Sequence, residues 1–102
     1  MNRIIPLDAS LTVRNVATLR QVIIDGFSGC DDLCLDIPKE EMADLCGLQL
    51  IESSRRYALT TGKQLSLLRP AEQLRRLLED TGFLSEPASD LHRFWLHEGP
   101  AQ

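Results

Sequence analysis

Apolar residues in this chain recur with two different spacings. Three short apolar runs have the length and composition of buried strands, and they lie over Arg3–Leu7, Leu33–Ile37 and Gln64–Leu68. Two longer segments repeat apolar residues every three to four positions, which predicts amphipathic helices over about Val13–Phe27 and Gly47–Thr61. Strands that alternate with helices in this way predict crossover connections and a parallel sheet.

The helix predicted over Gly47–Thr61 has the most clearly two-sided pattern. At about 100° per residue, its buried side is rich in small residues, so it can lie close to a sheet. That side holds Gly47, Leu50, Ile51, Ser54, Ala58 and Thr61, with Leu48, Tyr57 and Leu59 at its edges. The outer side holds Gln49, Glu52, Ser53, Arg56 and Thr60. Asp44 is predicted to cap the start of this helix and Gly62 to end it, because Asp accepts from free N–H groups and Gly adopts left-handed conformations.

The first strand and the first helix carry their own signals. Pro6 places the first strand at a sheet edge or at a strand end, because proline cannot donate a ladder hydrogen bond. Thr12 is a candidate cap for the helix that follows. The predicted apolar face of that helix is formed by Val13, Val16, Ala17, Leu19, Ile23, Ile24 and Phe27.

The C-terminal part of the chain predicts two further helices. One opens near Pro70 and ends at Gly82, with Glu72 and Arg76 spaced to form an ion pair. After a break at residues 85–87, a short terminal helix is predicted over Ala88–His97. The pattern therefore predicts one domain over residues 3–84 and a C-terminal helical extension and tail over residues 85–102.

One apolar patch on the terminal helix has two interpretations. Leu91, Phe94 and Trp95 are spaced i, i+3, i+4 and form one apolar side. A soluble chain rarely leaves such a patch bare, which favours docking of the helix on its own domain. The alternative is a homodimer through these residues, because tryptophan is a favoured anchor between proteins.

Length and composition indicate a single globular domain. The chain has 102 residues, of which 43% are hydrophobic and 25% are charged. The net charge is -4 and no basic cluster stands out, so nucleic-acid binding is not expected. No apolar run approaches the roughly 20 residues needed to cross a bilayer, so no direct membrane insertion is expected. The first residues are too quickly polar for a signal peptide, and the three cysteines do not fit a disulfide framework, so a cytoplasmic location is expected.

No arrangement of residues in the sequence predicts an enzyme or a metal site. Cys30, Cys34 and Cys46 are odd in number and lack a Cys-x-x-Cys spacing, which argues against a disulfide framework or structural zinc. His92 and His97 are five positions apart and do not share a helical face. No phosphate-binding glycine loop or nucleophile motif occurs. We therefore expect no catalysis, no cofactor and no metal.

A small enzyme or ligand-binding α/β domain stays open as an alternative. It would need polar groups that converge where parallel strands end. Asp36, Asp44 and Cys46 are the only candidates near that edge, and isolated carboxylates there also serve as helix caps. Cys46 lies at a helix start, which can activate a thiol, but free cysteine is more often a small buried residue.

The central segment of the chain resembles the STAS domain family. The resemblance rests on Leu35-Asp36-Ile37, a six-residue loop, and then Asp44-Leu45-Cys46-Gly47-Leu48 at the start of a helix. A later run from Gly62 to Leu67 fits the same pattern, and the likeness covers roughly Ile4 to Phe83. The family includes bacterial anti-sigma-factor antagonists and the STAS subunit of a phospholipid transporter. The resemblance implies an α/β fold with a mixed, mainly parallel sheet of about four strands covered by helices.

The resemblance also bears on regulation, and the chain departs from the family pattern there. In phospho-switched antagonists, a partner kinase modifies the Ser or Thr directly after the motif Asp. The matching residue here is Leu45, which has no hydroxyl, and the next residue is Cys46. Glu40 stands where the family commonly has an apolar residue. The resemblance therefore implies a non-catalytic regulatory domain that recognises a protein without the usual phosphorylation switch.

A docking surface is predicted on the loop before the second helix and on the outer side of that helix. A helix start presents unpaired N–H groups, and an exposed Leu45 would add an apolar anchor. The predicted partner-binding residues are Lys39, Glu40, Asp44, Leu45, Cys46, Gln49, Glu52, Ser53 and Arg56. The expected partner is an anti-sigma factor, or a histidine-kinase-like or chemotaxis regulator, in bacterial signal transduction. The alternative is the ATPase of an ABC-type lipid transporter.

Overall fold

A computed structural model describes residues 2–7, 11–37, 43–84 and 90–97, along which strands and helices alternate. The strands are β1 (Asn2–Pro6), β2 (Asp32–Asp36) and β3 (Gln64–Leu67). The helices are α1 (Val16–Phe27), α2 (Leu45–Thr60), α3 (Arg75–Asp80) and α4 (Asp90–Leu96). Short 3-10 turns, Val13–Asn15 and Glu72–Leu74, lead into α1 and α3. None of the helices described here combines the length and the apolar character that a bilayer crossing requires.

The strands form one parallel sheet in the order β1-β2-β3. Ile4 pairs with Cys34 and Leu35 pairs with Leu67, and both registers are parallel. β2 is therefore the central strand, and its Leu33 and Leu35 are fully buried. The predicted crossover through α2 is confirmed, because β2 and β3 lie side by side and parallel. Within the described ranges, the sheet has three strands rather than about four, and all are parallel.

The buried sides of the two long helices differ from the predicted ones at a few positions. α1 buries Leu19, Ile23, Gly26 and Phe27. Val13 and Ile24, predicted on that apolar face, are exposed by 62% and 46%. α2 buries Gly47, Leu48, Ile51, Ser54 and Ala58. Leu48, predicted at an edge, is completely buried and belongs to the hydrophobic core.

The ends of the long helices follow the sequence signals with one exception. Asp44 caps α2, as predicted. Gly62 has a φ of 75° just after the end of α2, which confirms the predicted left-handed residue. α1 begins later than predicted, at Val16, and Thr12 makes no side-chain hydrogen bond as a cap. The Asp44 carboxylate instead accepts a hydrogen bond from the Val13 N–H, at the start of the turn that leads into α1.

The predicted edge position of the first strand is confirmed, whereas the predicted ion pair between Glu72 and Arg76 is wrong. β1, which ends at Pro6, lies at the edge of the described sheet, as proline requires. Glu72 pairs with Arg75 at 2.8 Å and not with Arg76. The reason is the 3-10 turn over Glu72–Leu74, in which residues three apart stand above one another.

The C-terminal helix α4 packs onto the rest of the domain. Trp95 is completely buried and Leu96 is 2% exposed, and both belong to the same hydrophobic core as the sheet. The Ala71 N–H donates to the Trp95 carbonyl at 2.7 Å, and the His97 ring nitrogen lies 3.0 Å from the Leu67 carbonyl oxygen. The interpretation in which this helix docks on its own domain is therefore confirmed.

The homodimer alternative assumed an accessible patch of Leu91, Phe94 and Trp95. That assumption is wrong for Trp95, which the domain itself covers, and Leu91 and Phe94 are half-buried. Burial of the preferred anchor removes the reason for a dimer through this patch. The domain boundary predicted at residue 84 stays a prediction, although α4 contributes side chains to the core of the preceding residues.

Candidate functional site

The carboxylate of Asp44 joins two segments that are far apart in the sequence. Its Oδ1 accepts a hydrogen bond from the Gly47 N–H at 3.1 Å, and its Oδ2 accepts one from the Val13 N–H at 3.0 Å. The Asp44 N–H donates to the Leu11 carbonyl at 2.9 Å, next to a parallel bridge between Leu11 and Ala43. One side chain therefore caps α2 and also holds the turn that leads into α1.

Gly47 allows this close approach because it has no side chain. A Cβ at this position would overlap the Leu11 carbonyl, lying 2.5 Å from its carbon and 2.8 Å from the Leu11 Cβ. The segment around Leu11 therefore crosses directly over the first turn of α2. Close packing, and not an unusual backbone conformation, is what requires a glycine in this motif.

Backbone hydrogen bonds hold the pKa of Asp44 below its usual value. The Val13 N–H makes the largest contribution; partial burial raises the pKa, and the N–H groups of Gly47 and Cys46 lower it further. The positive end of the α2 dipole favours the same charged form. The charged carboxylate thus stabilises the fold above the unfolded-chain pKa of about 3.9. This stabilisation is lost as the pH falls through the lower pKa of the folded state.

We expect Asp44→Asn to be less stable than the parent at neutral pH and to lose less stability on acidification. The amide oxygen can still accept a hydrogen bond, but the side chain carries no charge and its nitrogen cannot accept the second one. Urea denaturation at neutral pH and at about pH 3 measures both effects. Asp80→Asn, at an exposed residue that ends α3, is the control. An unchanged pH dependence in Asp44→Asn would contradict the role given to the carboxylate.

Two apolar side chains beside this joint are exposed. Leu45, the first residue of α2, is 44% exposed, and Val13 is 62% exposed. Because the Val13 N–H binds Asp44, both residues lie at the same end of the helical layer. Leu45 is exposed, as the docking hypothesis requires. Val13 was missed, because only a contact that spans 31 residues reveals it as part of this surface.

Most of the predicted outer side of α2 is exposed, but Glu52 is not. Gln49 and Ser53 are exposed, and the Arg56 side chain is 76% exposed. The Glu52 side chain is only 13% exposed, and its carboxylate accepts from Arg55 Nε at 2.8 Å and from Arg56 Nε at 3.1 Å. The placement of Glu52 on the freely exposed side is therefore wrong, because these pairings draw the carboxylate against its own helix.

Two neighbouring arginines, Arg55 and Arg56, stabilise the negative charge of Glu52. Burial by itself raises the pKa of Glu52, but hydrogen bonds and charge attraction from Arg55 and Arg56 outweigh it and hold the pKa below its usual value. Arg55 also lies over the Phe94 ring of α4, with its guanidinium carbon 6.0 Å from the ring centroid. Glu52 thus positions the Arg55 side chain for its contact with Phe94, which joins α2 to α4.

The remaining candidate residues from the sequence are Asp36, Lys39, Glu40 and Cys46. Lys39 and Glu40 lie outside the described residues, and their role in docking stays a prediction. Cys46 is a half-buried free thiol, and Asp36 forms an ion pair with Arg69. In the part of the chain that the structure describes, no group of three His, Cys, Asp or Glu side chains could hold a metal ion. The two carboxylates considered for an enzyme, Asp36 and Asp44, thus have structural partners.

Comparison with known proteins identifies a family for this chain. The family model described as STAS domain matches residues 2–99. No curated protein and no solved structure matches the chain. The family match runs from β1 to α4, and a parallel sheet covered by helices is consistent with the STAS fold. The chain therefore belongs to the STAS domain family.

Proposed function

We propose that this STAS domain is a non-catalytic regulatory module that acts by docking to another protein. The proposed setting is cytoplasmic signal transduction in a bacterium, in the manner of an anti-sigma-factor antagonist. The partner would be an anti-sigma factor, a histidine-kinase-like regulator or a chemotaxis regulator. Docking would use the α2-start surface, which we define as Val13, Asp44, Leu45, Cys46, Gln49, Ser53 and Arg56.

The exposure of Leu45 and Val13 beside Asp44 is the observation that carries this proposal. Apolar side chains that stay in solvent at a rigid position are typical anchors for a protein partner. Both oxygens of the Asp44 carboxylate already accept from the backbone, so this residue shapes the surface and has no proton to transfer. Gln49 and Ser53 supply exposed polar groups further along α2. The arrangement supports recognition and not turnover.

Leu45 would keep this surface permanently available. By resemblance, it stands where switched antagonists carry the modified Ser or Thr, and its side chain cannot accept a phosphate. Partner binding would therefore not be turned off at this position. The same observation favours a second candidate function, the STAS subunit of an ABC-type lipid transporter, in which the partner is the transporter ATPase.

Leu45→Asp is expected to weaken partner binding at least tenfold while leaving the fold intact. A charge in place of an apolar anchor costs about 1.4 kcal/mol or more in binding, which corresponds to that factor. A carboxylate in the first turn of α2 interacts favourably with the helix dipole, although the neighbouring Asp44 offsets part of the gain. The free energy of unfolding should therefore stay within about 0.5 kcal/mol of the parent. Calorimetric titration with the purified partner and urea denaturation measure the two quantities.

Leu59→Gln is the matched control for this test. Leu59 is also an exposed leucine of α2, at 66%, but it lies near the opposite end of the helix. Its replacement should leave the affinity for the partner unchanged. A Leu45→Asp variant that binds as tightly as the parent would show that the partner docks elsewhere.

The genes that neighbour the gene of this protein indicate which partner to purify for this measurement. A kinase or chemotaxis cluster beside the gene would support the signalling role, and genes of an ABC transporter would support the transporter role. The product of the neighbouring gene is then purified and titrated with the parent and with Leu45→Asp. If neither a regulator nor a transporter ATPase binds the parent, the docking proposal fails for both classes.

A further inference from the structure

A groove runs between α1 and α2; it shares Ser53 with the α2-start surface, but neither Leu45 nor Val13 lines it. Its cavity volume is about 370 Å³, within the ~300–1,000 Å³ range of small-molecule sites. Ile23 and Phe27 of α1 and Leu50 of α2 line it, and the first two are buried in the core. The inner wall of the groove is therefore apolar.

The rim of the groove keeps two large side chains in solvent. Ile24 is 46% exposed and Tyr57 is 51% exposed, and both line the groove. The Tyr57 ring packs against the Phe27 ring with centroids 5.5 Å apart, which fixes the aromatic side of the rim. Exposed apolar residues that cluster around a concave surface mark binding sites, whereas scattered ones do not.

Polar groups in the groove differ in whether they already have partners. Ser54 donates its hydroxyl to the Leu50 carbonyl at 2.8 Å. Arg20 and Ser53 also line the groove, and no residue of the described ranges pairs with the Arg20 guanidinium or the Ser53 hydroxyl. The groove therefore combines an apolar wall with a positive charge that has no partner in the described part of the chain.

We propose that this groove binds a single-chain aliphatic carboxylate. The chain lies against Ile24, Leu50 and Tyr57, above the buried Ile23 and Phe27. The carboxylate binds Arg20, with the Ser53 hydroxyl as a second donor. Charge complementarity selects an anion, because guanidinium and carboxylate form paired, charge-assisted hydrogen bonds. The apolar wall selects a hydrocarbon chain, because burial of each methylene group contributes to affinity. This site does not depend on the docking role proposed above.

A second copy of the chain is the competing occupant of the groove. Two copies would have to bring together the exposed Ile24 and Tyr57 of each molecule. Each copy carries a net charge of -4, so the copies repel one another. A carboxylate carries a single negative charge, so the net charge of the chain opposes its binding less than it opposes a second copy.

NMR titration of the isotope-labelled full chain with decanoate tests the proposal. We expect saturable shifts confined to the backbone amides of the residues that line the groove. Octanoate should bind up to about fifteenfold more weakly, because it has two fewer methylene groups to bury. Decanol and decyltrimethylammonium present the same chain with a neutral or a positive head, and they should bind at least about fivefold more weakly than decanoate.

Variants at two arginines separate the charge from the apolar wall. Arg20→Gln should weaken decanoate binding about fivefold and leave decanol binding unchanged, whereas Arg20→Lys should keep most of the affinity. Arg14→Gln is the matched control, since Arg14 is exposed just before α1 and does not line the groove. Its affinity for decanoate should equal that of the parent.

Several outcomes would overturn the carboxylate site. If decanol binds as tightly as decanoate, the carboxylate charge does not contribute to binding. Equal decanoate affinity in the parent and in Arg20→Gln would likewise contradict the role given to Arg20. Shifts outside the groove, or none at all, would remove the site itself. Concentration-dependent association of the free chain that Ile24→Ser abolishes would show that a second copy fills the groove instead.

Discussion

Gly47→Ala is expected to lower the free energy of unfolding by about 3 kcal/mol or more. In an open helix, the same substitution would stabilise by about 1 kcal/mol, because alanine is the better helix former. Here the new methyl group would overlap the Leu11 carbonyl, which belongs to the backbone and cannot turn aside as a side chain can. Relief requires the Leu11 segment to move away from α2, and this strains the hydrogen bonds that Asp44 makes to both segments. The close approach therefore reverses the sign of the effect.

Urea denaturation of the parent and of two alanine variants measures this effect. Gly26→Ala is the matched control, because Gly26 is also helical and buried. The atoms nearest to its new methyl group would be the ends of the Ile5 and Leu33 side chains, which can shift. We expect this control to lose about 1–2 kcal/mol. Equal losses in the two variants, or a Gly47→Ala variant as stable as the parent, would contradict the crossing of Leu11 over α2.

Trp95→Ala is expected to lower the free energy of unfolding by about 3–5 kcal/mol. Trp95 has no exposed surface, and the rings of Phe83 and Phe94 pack against it with centroids 6.2 Å and 5.4 Å away. Removal of the indole leaves a cavity under α4. A loss of this size is a large part of the ~5–15 kcal/mol that stabilises a typical domain. Urea and thermal denaturation should both report it.

Trp95→Phe separates the packing of the ring from the indole N–H group. Within the described residues, Trp95 Nε1 is buried without a hydrogen-bond partner, and such a group costs about 1–3 kcal/mol. Phenylalanine removes that cost while it keeps most of the apolar contact. We therefore expect a net loss of only about 1–2 kcal/mol. A Trp95→Ala variant within about 1 kcal/mol of the parent would show that α4 does not hold the domain together.

Local patterns were sufficient to predict the order and the ends of the central elements. The apolar runs and the helical period identify β2, α2 and β3, because these signals depend on residues only a few positions apart. The cap at Asp44 and the end at Gly62 follow from the chemistry of single residues. The alternation of strands and helices correctly predicted that the neighbouring strands are parallel.

Contacts between distant segments could not be predicted in the same way. The second hydrogen bond of Asp44 reaches Val13 across 31 residues, and a helical wheel compares only residues of one helix. The wheel also placed Glu52 in solvent. In the folded chain, Arg55 binds this carboxylate and also lies over Phe94 of α4, a residue that the wheel does not include. The shape of the α2-start surface is therefore a property of the folded chain and not of its motif.

The burial of Trp95 gives this protein a built-in optical probe. The chain has one tryptophan, and it belongs to α4, so its emission reports on the environment of a single helix. An indole that leaves the core for water fluoresces at longer wavelength. A binding event that leaves α4 seated will therefore preserve the emission maximum, while one that lifts α4 will shift it to the red. The two kinds of event can be distinguished in an unlabelled sample.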